Sequence, residues 1–98
     1  MMLVRQVFQA KYGRGDELVA LFQELHATAA VPHPESARIL TDASGQFFTV
    51  VTEYEAESFA AWEENFSKLM SGPAMEAWFT RMMEVAESGR REFYNIVR

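Results

Sequence analysis

The 98-residue chain contains no cysteine, which excludes disulfides, thiolate nucleophiles and cysteine-based metal sites. No apolar run approaches the roughly eighteen residues that a membrane-spanning helix needs. Met1–Arg5 is too short for a secretory signal, so the expected location is cytoplasmic. Positive charge is also scarce. Nine Lys and Arg stand against fourteen Asp and Glu, giving a net charge of −5, and among the basic residues only Arg90 and Arg91 are adjacent. A surface that grips nucleic acid or anionic lipid needs clustered cations, so no nucleic-acid or membrane partner is expected. No serine lies in a G-x-S-x-G context, and Gly13-Arg-Gly15 is too short to form a phosphate-cradling loop.

What the chain has in quantity is apolar surface. Hydrophobic residues make up 49%, including eight Phe, six Met and two Trp. A single domain over residues 1–98 is expected. A chain of this length buries about two-thirds of its unfolded surface. Some of its apolar area is therefore expected to lie against a partner chain or a ligand.

The stretch Gln46–Tyr54, rich in β-branched and aromatic residues, predicts a central strand. Met2–Ala10 predicts another, followed by a glycine-relaxed turn at Lys11–Gly15. Asp16 and Glu17 place negative charge at the start of a helix that runs to about Ala30. Leu18, Leu21, Phe22, Leu25 and Ala29 form its apolar stripe. Pro32 and Pro34 end that helix. Ala37–Ala43 predicts a shorter strand, joined to the central one by a hairpin turn at Asp42–Gly45. Beyond Tyr54 the period lengthens. Phe59, Trp62, Phe66 and Leu69 mark a second helix, and Met75, Trp78, Phe79, Met82 and Ala86 mark a third, with Pro73 suited to its first turn. Gly89 is expected to stop the third helix before a last strand over Arg91–Val97.

The order β-α-β-β-α-α-β predicts an α+β, ferredoxin-like fold with a four-stranded antiparallel sheet in the order 4-1-3-2 and helices on one face. The other face, expected to carry Leu3, Val7, Phe47 and Val51, is too apolar to leave in water. A second copy of the chain is expected to cover it.

Lys11-Tyr-Gly-Arg-Gly15 followed by Glu17-Leu-Val19 resembles the strand-turn-helix opening of dimeric α/β-barrel proteins, although Tyr12 stands where proline is common. Val51-Thr-Glu-Tyr-Glu55, Trp62-Glu-Glu64, Lys68-Leu69, Trp78 and Ser88-Gly-Arg-Arg-Glu-Phe-Tyr94 most resemble the NIPSNAP-like branch. The resemblance covers nearly the whole chain and implies a homodimer whose two sheets close a barrel. Activities within the superfamily include cofactor-independent oxygenation, haem degradation, isomerisation and dehalogenation, so fold alone does not choose among them.

Glu53 is the first candidate catalytic residue. It shares a strand face with Phe47, Thr49 and Val51, and Arg5 is expected on the same face of the neighbouring strand. Together Arg5, Phe47, Thr49 and Val51 form the candidate ligand-binding wall of the barrel interior. A carboxylate in apolar surroundings can act as acid or base. Alternatively, Glu53 pairs with Arg5, Arg38 or Arg91 and fixes the sheet. His26, at the edge of the first helix stripe, is the second candidate, either as a base or as a partly buried structural histidine. The other histidine, His33, sits in a proline-flanked loop, and no recognised spacing makes the pair a metal site.

Haem degraders of the superfamily supply a histidine from the second half of the chain, and none follows His33. The same absence breaks the oxygenase set that Trp62, Asn65 and Trp78 would otherwise suggest. These tryptophans read as core, and the methionines between Met70 and Met83 as core filler or as the lining of an adaptable pocket. No cofactor is expected. Two functions remain open: a homodimeric barrel that binds a small apolar molecule or nothing, and a cofactor-independent monooxygenase or isomerase acting on an aromatic or polyketide-like compound.

Overall fold

A computed structural model describes residues 1–28 and 31–98. Strand β1 spans Met2–Ala10, helix α1 Gly15–Thr28, β2 Arg38–Thr41, β3 Thr49–Ala56, α2 Phe59–Met70, α3 Ala74–Val85 and β4 Ala86–Asn95, with a single 3-10 turn at Pro34–Ser36. The strands form one antiparallel sheet in the order β2-β3-β1-β4. This is the expected 4-1-3-2 order read from the other edge. The part of the first helix stripe that falls on Ala29 and Ala30 lies outside the described residues.

Alternation along each strand divides the sheet into two environments. Val4, Phe8 and Ala10 of β1, with Val50, Tyr54 and Ala56 of β3, face the helices and supply the sheet's share of two hydrophobic clusters. In one cluster Leu18, Leu21 and Phe22 of α1 meet Met75 and Trp78 of α3. The Trp78 indole N–H donates to the Leu21 carbonyl at 2.9 Å, tying the two helices together inside the core. In the other, Trp62 of α2 packs with Val4 and Tyr54 and donates its indole N–H to the Tyr54 hydroxyl at 2.8 Å. Both tryptophans are core residues whose polar atoms are satisfied.

Several boundaries differ from the sequence expectation: β2 is confined to Arg38–Thr41 rather than Ala37–Ala43, and β4 ends at Asn95 rather than Val97. The central strand starts at Thr49 rather than Gln46. Asp42 closes the hairpin by exchanging bonds with Thr49: its backbone N–H reaches the Thr49 carbonyl, and its carboxylate accepts from the Thr49 N–H at 3.0 Å. Residues 43–48 are left as a loop, with Phe48 in the left-handed region at φ 58°. The Gln9 side-chain amide donates to the carbonyl oxygens of Phe47 and Phe48, which helps hold this costly conformation. At the strand's other end, Glu55 and Ala56 remain extended, and α2 begins only after Ser58, whose hydroxyl accepts from the Ala61 N–H.

The last strand also starts earlier than expected. Helix α3 ends at Val85 and the chain turns straight into β4, because the first turn of the protein caps the helix. The Lys11 N–H donates to the Val85 carbonyl at 2.8 Å, and the Arg14 guanidinium to the Glu84 carbonyl at 2.9 Å. Ala86 is thus a strand residue and Gly89 lies inside β4 opposite Phe8, so neither belongs to the helix. A Cβ on Gly89 would come within 2.7 Å of the Phe8 ring, which is itself packed on Phe22 at 4.8 Å between centroids. Gly89→Ala is expected to destabilise the protein by about 1–3 kcal/mol through overpacking, read as a lower urea midpoint. An unchanged midpoint would mean that the Phe8 ring has room to move.

Candidate functional site

The two faces of the sheet carry two separate constellations. On the helix-free face, the strand register lines up Arg38, Glu53, Arg5 and Glu92 across all four strands. Both Glu53 oxygens are engaged: one meets the Arg5 guanidinium at 2.6 Å, the other Arg38 at 2.6 Å. Arg5 also reaches Glu92 at 3.4 Å, and Glu92 meets Arg90 at 3.1 Å. Glu53 is only 2% exposed, whereas the side chains of Arg5 and Arg38 are 35% and 64% exposed. A buried carboxylate with charged donors on both oxygens is fixed in place and stays paired.

Leu3, Val7, Leu40, Val51 and Tyr94 share this face by register and alternation. It is therefore a mixed surface, in which the expected Glu53 and Arg5 belong to an alternating charge rung flanked by apolar side chains. Phe47 is absent from it. It sits in the 43–48 loop, 66% exposed, with Tyr12 edge-on at 6.3 Å. Thr49 does lie at the end of the face, where its hydroxyl donates to the Gln46 carbonyl and to Gln9.

On the helix side, a cavity of about 130 Å³ lies between the sheet and the three helices. Its apolar wall includes Phe22 and Leu25 of α1, Phe66 and Leu69 of α2, and Trp78 and Met82 of α3, with Phe8 contributed by the sheet. The lining also carries polar groups, Gln6, Tyr54, Asn65, His26 and Arg91, of which Gln6 and Arg91 are hydrogen-bonded to each other. Burial holds the His26 imidazole below its ordinary pKa and pushes the Tyr54 hydroxyl above its own, so near neutral pH the first is an unprotonated base and the second an intact donor. Met70 and Met75 line the cavity as well, while Met83 is exposed.

The sequence-expected residues thus separate. Glu53, Arg5, Thr49 and Val51 belong to the helix-free face, His26 to the cavity on the other side, and Phe47 to neither. Glu53, Arg5 and His26 do not converge. The opposite orientation of Arg91 also rules it out as the partner of Glu53. Sequence reasoning missed Gln6, Tyr54 and Arg91 as cavity residues. The signal that could have found them is strand parity, since Gln6 and Arg91 are paired across β1 and β4 on the same side as Val4 and Phe8. Among the described residues, no three His, Asp or Glu side chains are placed to hold a metal ion, and no helix is long and apolar enough to cross a membrane.

In sequence comparison, neither a family model nor a curated protein matches the chain. In structural comparison the fold is well represented. An uncharacterised NIPSNAP domain protein from Burkholderia xenovorans superposes with a TM-score of 0.80 at 16% identity, covering 99% of this chain and 95% of that one. A NIPSNAP family protein from Agrobacterium tumefaciens gives 0.84 at 15% identity, over 98% and 85%. A cofactor-independent oxygenase from Streptomyces nogalater gives 0.65 at 10% identity, over 99% and 93%. The ferredoxin-like fold expected from the sequence is therefore the fold of this chain, shared with NIPSNAP proteins and with an oxygenase.

Two outcomes follow from this geometry. Glu53→Gln is expected to lower stability by about 1–2 kcal/mol, the loss being moderated by the exposure of both arginines, and to leave ligand binding in the cavity unaltered. Denaturation and a binding isotherm on the same variant check both halves, and lost binding with intact stability would assign Glu53 a chemical role. For His26 the folded-state pKa lies below 6.5, so in the interval beneath 6.5 the unfolded chain takes up a proton that the folded chain refuses. Stability from this group is complete above pH 6.5 and falls as pH drops toward the lowered value. His26→Leu should flatten that slope in urea midpoints measured from pH 8 to 5. An unchanged slope would place its origin in another group.

Proposed function

We propose that this protein is a NIPSNAP-like homodimer, cytoplasmic and single-domain, that binds a small, largely apolar molecule. The observation that carries the binding role is the 130 Å³ cavity, whose aromatic and methionine wall is interrupted by a few polar side chains. An apolar cavity of about 150 Å³ holds a benzene-sized guest, so the expected ligand presents one ring or its equivalent to the wall and its polar end to Gln6, Tyr54, Asn65 and Arg91. The helix-free face supports the dimer. Leu3, Leu40 and Tyr94 would be shielded by a second copy, and the Arg38–Glu53–Arg5–Glu92 rung would give that contact a definite alignment.

His26 favours a second reading, in which the same cavity houses a cofactor-independent monooxygenase or isomerase acting on an aromatic or polyketide-like compound. A neutral imidazole lining an apolar cavity can take a proton from an acidified C–H bond. Under this reading the protein speeds deuterium exchange at the benzylic α-carbon of the single-ring ketone phenylacetone, and His26→Gln abolishes it. Exchange no faster than in buffer would leave only the binding role.

The binding role is tested with indole as a neutral probe. Titration calorimetry should give one indole per chain, and Leu69→Trp, which fills the cavity, should remove binding while the protein stays folded. Binding that survives the filled cavity, or no binding by either form, would overturn it. For assembly, light scattering should give twice the 11.2 kDa mass of one chain, and Tyr94→Asp should return the mass to a single chain. A wild-type monomer at micromolar concentration would overturn the dimer.

A further inference from the structure

The helix-facing side of the sheet has a polar rung of its own, one step along from the charge rung. Thr52, Gln6 and Arg91 lie opposite one another on β3, β1 and β4. The Gln6 amide N–H donates to the Thr52 hydroxyl at 3.1 Å, and its carbonyl oxygen accepts from Arg91 Nε at 2.9 Å. Thr52 is fully buried, so the rung starts in the core and ends at an exposed guanidinium on the cavity lining. That guanidinium lies over Trp62 and Phe66, 4.8 and 4.7 Å from the ring centroids. It is held in place by a hydrogen bond at Nε and by two aromatic faces.

Its charge, however, is not matched. Among the described residues every other arginine has a carboxylate within ion-pair distance, and Arg91 has none. This occurs in a chain with five more acidic than basic residues, where a carboxylate partner would be easy to supply. With Nε committed to Gln6, the terminal N–H groups of Arg91 retain the fork geometry that suits a carboxylate. The Tyr54 hydroxyl lines the same cavity, accepts from Trp62 and keeps its own proton to donate.

We propose that the cavity selects a small organic anion, an aryl carboxylate or an enolate with a single-ring apolar body, whose charged end is bound by Arg91 with Tyr54 as a second donor. The inference rests on the cavity being a binding site and adds the charge of its ligand. Arg91 is a specificity residue here: the wall accepts the ring, and the guanidinium chooses the anion. The Nε hydrogen bond and the two ring contacts restrain the guanidinium before binding, so little side-chain freedom is lost when the anion arrives.

Phenylacetate and its near-isosteric neutral amide, phenylacetamide, test this by titration calorimetry at pH 7.5. Phenylacetate is expected to bind roughly tenfold tighter, in line with a charge-assisted hydrogen bond replacing a neutral one. Raising the salt concentration from 50 to 500 mM should weaken phenylacetate alone. Arg91→Gln should abolish the preference by weakening phenylacetate far more than phenylacetamide, and Arg91→Lys should restore part of it. Equal binding of the two probes to the wild type would overturn the anion selectivity and leave the cavity reading intact. Binding of neither probe would overturn both. The salt dependence of the wild type decides the matter even if the Arg91 variants fold poorly.

Discussion

Strand β1 is the constraint on which the rest depends. It is hydrogen-bonded on both sides, to β3 along one edge and to β4 along the other, so every side chain it carries is placed opposite one from each neighbour. Its even positions must satisfy a core built from three helices, and its odd positions a surface with no helix above it. Arg5 and Gln6, consecutive in sequence, consequently end up organising two unrelated polar rungs on opposite sides of the same sheet. Neither rung could shift by one residue without carrying charged groups into the core and Val4 and Phe8 out of it. The register is thus specified from both faces.

The architecture was largely legible because it rests on periodicity. The change from a two-residue to a 3.6-residue repeat after Tyr54, the glycine turn before α1 and the break around Pro73 led to the correct element order and strand order. The boundaries that were misplaced have local causes that periodicity does not encode. Phe47 looks like a strand residue, but Asp42 closes the hairpin on Thr49 and leaves it in a loop. Gly89 looks like a helix stop, but its real partner is the ring of Phe8, 81 residues earlier in the chain and a neighbour only once β1 and β4 pair.

The site was less legible for a related reason. Glu53 stands out in sequence as a carboxylate in an apolar strand, and that isolation left both chemistry and an ion pair with Arg5, Arg38 or Arg91 open. In three dimensions it is the most firmly paired acid of the helix-free face, because Arg5 and Arg38 come to it from neighbouring strands. Arg91 stood out less, as one of the two adjacent basic residues and one of three possible partners of Glu53. Strand alternation sends the two in opposite directions, Arg90 to Glu92 and Arg91 across Trp62 and Phe66. Which arginine is spare depends on counting partners, and partners come from tertiary structure.

The parity of the sheet has a further consequence for how such a chain can diversify. Odd positions of β1 and β3 and even positions of β4 govern how two copies could meet, while the complementary set governs what a protomer could enclose. A substitution in one set need not disturb the other, although neighbouring codons encode them. Assembly and ligand choice can then drift as nearly independent traits within one short gene. A fold with this property can keep its shape across chains only 10–16% identical to this one.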